Sequence, residues 1–205
     1  MLDAPNRNRN AERRAATRRE ILDHAWELAR EKGLAQLTLR DVAARVGMRA
    51  PSLYTHFASK HAIYDAMFAD AWTEYRSIAE AARAVDAPSA RAALKASART
   101  FFDFAVADLA RHQLMNQRTI PGFEPSAAAF APAVEVLEMF RSQLSELGIT
   151  KDEDVDLCTA MIAGLVDAQL ANDPGGDRWG RLVDRMVDMF ADDVGLPPHT
   201  PEERS

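Results

Sequence analysis

The chain has 205 residues, 47% of them hydrophobic, and its net charge of −6 is unevenly spread: residues 1–60 hold 12 Lys and Arg against 7 Asp and Glu, and residues 61–205 hold 13 against 24. That is apolar material for one small module beside a larger core, and no run approaches the roughly 18 consecutive apolar residues of a membrane span, so a membrane protein is excluded. A lone cysteine, Cys158, permits no intrachain disulfide, and MLDAPNRNRN lacks the apolar run of a signal peptide, so the expected setting is the cytoplasm. A basic first third suits a polyanion, and an acidic remainder is kept off it.

In chain order, residues 1–12 read as a basic arm, and Arg13–Gly33 as an amphipathic helix whose Thr17 and Arg18 are phosphate candidates. Thr38 can cap a second helix through its hydroxyl, and Asp41 stands three residues on, where a carboxylate can answer back. Leu39, Val42, Ala43 and Val46 recur there at helical spacing. Gly47 supplies the backbone freedom of a sharp exit, and Pro51 suits the first turn of a short helix from Ala50 to His56. Two helices joined this way form a helix-turn-helix, whose second helix lies in the major groove.

Within that unit, Leu53 and Phe57 should face inward with Val42 and Val46, against Ile21, Ala25 and Leu28. Arg49, Ser52 and Thr55 remain outside as base-reading candidates, and Pro51 can meet a thymine methyl. A guanidinium such as that of Arg49 can take guanine O6 and N7 together, worth about 1–3 kcal/mol of discrimination. Lys60 stands beside the cap Ser59 at a helix start, where a cation opposes the dipole unless a phosphate offsets both. Thr38 and Arg40, like Thr17 and Arg18, would set register on phosphates without reading sequence.

The stretch Gly47–Lys60, GMRAPSLYTHFASK, resembles the signature of the TetR family of one-component transcriptional regulators. The likeness extends upstream through Arg13–Gly33 and downstream into a helix beginning near Lys60; beyond that first third, only helical organisation and length fit. Pro51 stands where many members have Gly, which alters local geometry. The resemblance implies that Tyr54 and His56 touch the sugar-phosphate backbone. It also implies a homodimer on a pseudo-palindromic operator, repression as the default, and an inducer cavity among the central helices.

Past Lys60 the pattern is helical throughout, with long helices near 61–85, 89–110 and 126–147, a short one near 112–118, and a loop at Ile120–Pro125 forced by two prolines and a glycine. The expected fold is all-α, with about nine helices: a three-helix DNA-binding domain over 1–60 and a larger helical effector-binding and dimerisation domain over 61–205. Thr150 with Glu153 reads as a capping box for the penultimate helix, and Asp177 as the cap of the last. Both helices carry more apolar surface than one core needs, which points to an interface at Met161, Leu165, Ala168, Gln169, Trp179, Val183, Met186 and Phe190; packing within one chain is the alternative.

Trp72, Tyr75, Phe101, Phe104, His112, Met115, Phe123 and Met139 are the candidate effector lining, with Phe102, Phe130 and Phe140 as further walls, although such residues also simply fill cores. His112, Asn116, Gln117 and Arg118 are its polar anchors, and the expected ligand is hydrophobic or aromatic. Cys158 lies in an apolar helical pattern and reads as a core residue. No nucleophile elbow, phosphate-cradling glycine loop or paired-cysteine pattern occurs, and the histidines are scattered, so no enzyme, metal or cofactor is expected. Asp152, Asp154 and Asp156 open like a calcium loop, but Leu157 and Ala163 occupy its glycine and glutamate positions. The partners expected are therefore operator DNA, a small hydrophobic effector and a second copy of the chain. A nonspecific architectural DNA-binding protein and an all-α enzyme are the alternatives.

Overall fold

The computed structural model describes residues 4–197, with side chains from residue 9 onward. Among the described residues there are nine α-helices and no strand: α1 (Ala4–Lys32), α2 (Leu39–Val46), α3 (Ala50–Tyr54), α4 (Lys60–Arg83), α5 (Ala90–Val106), α6 (Leu109–Asn116), α7 (Ala127–Glu146), α8 (Asp152–Asn172) and α9 (Val183–Asp193). Short 3-10 turns stand at Leu34–Gln36 and Gly180–Leu182. The chain divides into two compact units, one of the described residues up to Ala71 with Ala110–Phe130, the other of Trp72–Leu109 with the residues from Ala131 on. The boundary thus falls inside α4 rather than at its start, because Ile63, Tyr64 and Met67 of α4 are wholly buried in the first unit.

In the first unit, α1 is already helical at Ala4, so residues 4–12, expected as an arm, continue the helix. Pro5 stands in the first turn, where a missing N–H costs nothing, and no further proline or glycine follows before Gly33, which ends the helix at φ 85. Ile21, Leu22, Ala25, Trp26, Leu28 and Ala29 form its buried stripe. Thr38 Oγ1 accepts the Asp41 N–H at 3.1 Å, as a cap should. Asp41 does not answer back; its carboxylate faces Lys32 Nζ at 3.4 Å. At the other end of α2, Gly47 is left-handed (φ 76) and the Met48 N–H reaches the Ala43 carbonyl at 2.9 Å. Val42, Leu53 and Phe57 are buried with Ile21, Ala25 and Leu28, each contributing about 1.5–3 kcal/mol where a large side chain leaves water. Val46, expected among them, is only half-buried.

The second unit is built on one apolar cluster that includes Phe102, Leu144, Ile162, Val166, Val183, Val187 and Phe190. A charge ladder joins α5 to α9: Arg91–Asp192 at 2.6 Å, Lys95–Asp188 at 2.8 Å and Arg99–Asp184 at 2.8 Å. The i, i+4 spacing on both helices makes the two rows meet in antiparallel order. Arg91 is itself buried and donates to the Pro197 carbonyl at 2.9 Å, tying the chain beyond α9 to α5. The helix expected to run to residue 110 stops at Val106, and the short helix expected near 112–118 is α6, Leu109–Asn116; no proline or glycine marks the break.

Three expectations about the closing helices are corrected. α8 has Lys151 at its N-cap with no side-chain cap bond, so the Thr150–Glu153 capping box is not formed; Asp152, Glu153 and Asp154 instead face the positive helix end. Asp177 does not cap α9, whose approach is held by Gln169: its Oε1 accepts the Trp179 N–H at 2.9 Å and the Gly180 N–H at 3.2 Å. Gln169, Val183, Met186 and Phe190 are each 7% exposed or less within the single chain, so they cannot meet a partner as expected. Cys158 lies in the same core, and burial pushes its thiol up to about 11.

Candidate nucleic-acid interface and effector cleft

The five-residue helix α3 carries the expected readers. Arg49, Pro51, Ser52, Tyr54 and Thr55 are exposed, while His56 and Lys60 are half-buried. Among the described residues the Arg40 and Arg49 side chains are exposed and make no hydrogen bond or ion pair within the protein. Other candidates are engaged within the fold. Thr17 Oγ1 donates to the Arg13 carbonyl at 3.0 Å and Thr55 Oγ1 to the Ser52 carbonyl at 2.7 Å. The Thr38 hydroxyl is the α2 cap, and Lys60 Nζ lies 3.4 Å from the Ala35 carbonyl. Arg45, which was not a candidate, pairs with Glu31 at 2.6 Å, and this guanidinium holds the Glu31 carboxyl below its ordinary value.

A helix this short leaves its last carbonyls unsatisfied. Two arginines from α1 supply the donors: Arg14 Nη2 reaches the Thr55 carbonyl at 3.0 Å, and Arg18 Nη1 bonds the His56 carbonyl. The Arg18 guanidinium also lies 4.0 Å from the centre of the Phe57 ring. Arg18, expected on phosphate, thus uses one of its guanidinium N–H groups to hold the end of α3. Arg14 was missed by sequence reasoning, although its i, i+4 spacing to Arg18 put both on one helix face.

A cleft of about 340 Å³ opens in the same unit. Phe68, Leu114, Met115, Ile120, Phe123, Pro125 and Phe130 form its apolar walls, and Asn116, Gln117, Arg118 and Glu124 its polar rim. Phe68 and Phe130 stack at 5.9 Å, and Arg118 faces Glu124 at 3.6 Å. Of the expected lining, Met115 and Phe123 are present, as are the anchors Asn116, Gln117 and Arg118. Trp72, Tyr75, Phe101 and Phe104 instead form an aromatic cluster in the second unit, with Tyr75 centred 5.3 Å from Phe101 and 5.2 Å from Phe104. His112 is buried and does not line the cleft, and neither does Met139, whose carbonyl accepts from Arg83 at 2.9 Å. Spacing could not separate these groups, since core and cavity walls share the same helical period.

The cleft adjoins the reader through two side chains. Phe123 sits edge-on to Tyr64 at 5.4 Å, and the buried Tyr64 hydroxyl donates to the Leu34 carbonyl in the turn leading into α2. Burial pushes the Tyr64 phenol up to about 12. Asp65 of α4 accepts both the Ser126 N–H (2.7 Å) and its hydroxyl (2.6 Å), pinning the end of the loop that carries Phe123 to α4.

A helix-turn-helix with an exposed second helix, backed by an all-helical body, defines the class of DNA-binding regulators. Residues 21–67 match the family described as bacterial regulatory proteins, tetR family. The chain is 28% identical over 166 residues to the tetracycline repressor protein class A from transposon 1721 of Escherichia coli, covering 79% of this chain and 71% of that one. It is 38% identical over 69 residues to the HTH-type transcriptional repressor KstR2 of Rhodococcus jostii, covering 32% and 34% respectively. In fold it is similar to the transcriptional regulator FadR from Bacillus subtilis in complex with stearoyl-CoA, with a TM-score of 0.62 at 21% identity over 83% of this chain and 96% of that one. Residues 21–67 thus form a tetR-family DNA-binding region, and the chain is a transcriptional regulator of that type.

Proposed function

We propose that the protein is a ligand-released repressor that binds a pseudo-palindromic operator as a homodimer. The observation that carries this reading is α3: Arg49, Pro51, Ser52, Tyr54 and Thr55 are exposed on and around it, while Leu53 and Phe57 are buried and Arg14 and Arg18 bond the carbonyls at its end. Arg49, Ser52 and Thr55 read bases, with Pro51 against a thymine methyl; Tyr54, His56, Lys60, Thr38, Arg40 and Thr17 hold the backbone. The Ala35 carbonyl occupies one of the three Lys60 N–H donors, at 3.4 Å, and leaves two for a phosphate. The two kinds of contact differ in consequence, since only the base contacts discriminate sequences.

Dimerisation through α8 and α9 is supported by the apolar side chains that the core leaves outside. Leu157 is 45% and Met189 57% exposed, and Met161, Leu165 and Ala168 continue the Leu157 stripe along α8 half-buried. With Trp179 they replace the buried half of the expected interface. Two copies would present two α3 helices about 34–36 Å apart, one turn of the duplex.

The effector reading rests on the cleft, where Phe68, Phe123 and Phe130 offer contact to a hydrophobic or aromatic molecule and Asn116, Gln117, Arg118 and Glu124 give the lining at least as much polar as apolar surface. FadR with stearoyl-CoA supports a ligand of that character. A ligand pressing on Phe123 would act on Tyr64 and hence on the Leu34 carbonyl at the root of the reader. Only its differential affinity for the two arrangements does the work.

Selection of bound sequences from random duplex with the purified protein tests the reading. A recovered inverted repeat, bound with affinity that falls by orders of magnitude between about 50 and 200 mM salt, is expected. Recovery of no preferred sequence would favour the architectural alternative.

A further inference from the structure

We propose that the N-terminal part of α1 is a second DNA contact, a rigid helical extension that lays Arg9 and Arg13 on phosphates flanking the sequence read by α3. This rests on α3 being the DNA reader. Residues 9–16 are all exposed, so this stretch of α1 contributes nothing to the core of its own unit. Between residues 9 and 19 the chain holds five arginines against one acid, Glu12.

Three of those arginines have work within the fold. Arg14 and Arg18 hold the Thr55 and His56 carbonyls, and Arg19 pairs with Asp23 and Asp70. Arg9 and Arg13 form a second i, i+4 pair, and among the described residues neither meets an acid. Because Arg14 is bonded to the end of α3, the helix rise places the backbone of Arg13 about 1.5 Å and that of Arg9 about 7.5 Å farther along α1 from that anchor. The backbones that carry these two cations therefore stand within about 8 Å, one Debye length at physiological salt, of the residue that clamps the reading helix.

A helix already formed and clamped loses little freedom on meeting DNA, whereas a flexible arm must be ordered at that moment. The contacts would be to phosphate and would carry no sequence information, so the extension lengthens the footprint without changing the recognised bases.

The test compares two duplexes: the selected site alone, and the same site with about 8 added base pairs on each side, a length that adds phosphates without adding read bases. Wild-type protein should bind the longer duplex about tenfold more tightly at low salt, with a salt slope steeper by about 0.9 per added phosphate contact. The Arg9→Gln, Arg13→Gln double variant keeps two good helix formers; it should lose both differences, binding the two duplexes equally and with the same salt slope. A variant that gains from the flanks as wild type does overturns the inference while leaving α3 as the reader, and so does a wild type indifferent to the flanks. Wild type binding neither duplex overturns the reading of α3 and this inference with it.

Discussion

The reader and the closing helices obey different rules. From Thr38 to Phe57 almost every change of direction has a local cause: a hydroxyl cap, a left-handed glycine, a proline in a first turn. Around α8 and α9 the local cues misled. The helix ends there are organised by Gln169, a buried amide acting across ten and eleven residues, and by the α5–α9 charge ladder, whose partners lie 85 to 101 residues apart. A short helix with little surface to bury depends on its ends, whereas a long one can draw its stability from packing.

Removing one large side chain from each core probes that difference most strongly. Phe57→Ala and Phe190→Ala should each cost about 3–5 kcal/mol, seen in denaturant melts. Only Phe57→Ala should also abolish DNA binding under conditions where the protein is still folded, because it removes the ring beneath Arg18. Equal loss of DNA binding in both variants would erase the distinction between the regions.

A charge on the outward stripe of the closing helices comes next. Leu157→Asp should leave the single-chain fold intact, since that side chain is 45% exposed, and should shift the mass measured by light scattering from two chains to one. An unchanged mass would move the interface elsewhere.

Tyr64→Phe keeps the ring against Phe123 and deletes one hydroxyl, so the Leu34 carbonyl loses one of its two donors and keeps the Leu37 N–H at 3.2 Å, at a cost of about 0.5–1.5 kcal/mol. Site affinity measured on the folded variant should change as well; an unaltered affinity would dismiss this residue as the link between cleft and reader.

The smallest effects contrast two glycines. Gly47→Ala forces a side chain into the left-handed region at φ 76 and should destabilise by about 1–2 kcal/mol. Gly164 is mid-helix, and a Cβ there meets nothing within 4 Å, so Gly164→Ala should stabilise the single chain by about 0.8–1 kcal/mol. Thermal melts of the two variants should move in opposite directions.

These contrasts mark how much was legible. The caps and exits of α2 and α3, the inward Leu53 and Phe57, and the exposed Arg49 and Ser52 could be read because each depends on neighbours within one or two turns. The clamp from Arg14 and Arg18 could not, since it joins residues 38 and 41 apart. Likewise Phe68, Leu114, Ile120, Glu124, Pro125 and Phe130 line the cleft without any pattern that distinguishes them from core residues.

By itself, the order of amino acids determined the all-helical class, the reader motif and the basic character of its surroundings, because helical period, capping and net charge are properties of short stretches. The tertiary structure alone decided which apolar residues face a core, a cleft or the outside. Gln169, Val183, Met186 and Phe190 went inward while Leu157 and Met189 stayed out, and Met115 and Phe123 joined a cleft that Tyr75 and Phe104 did not. The physical reason is that burial follows from which helices meet, and that depends on contacts between residues distant along the chain.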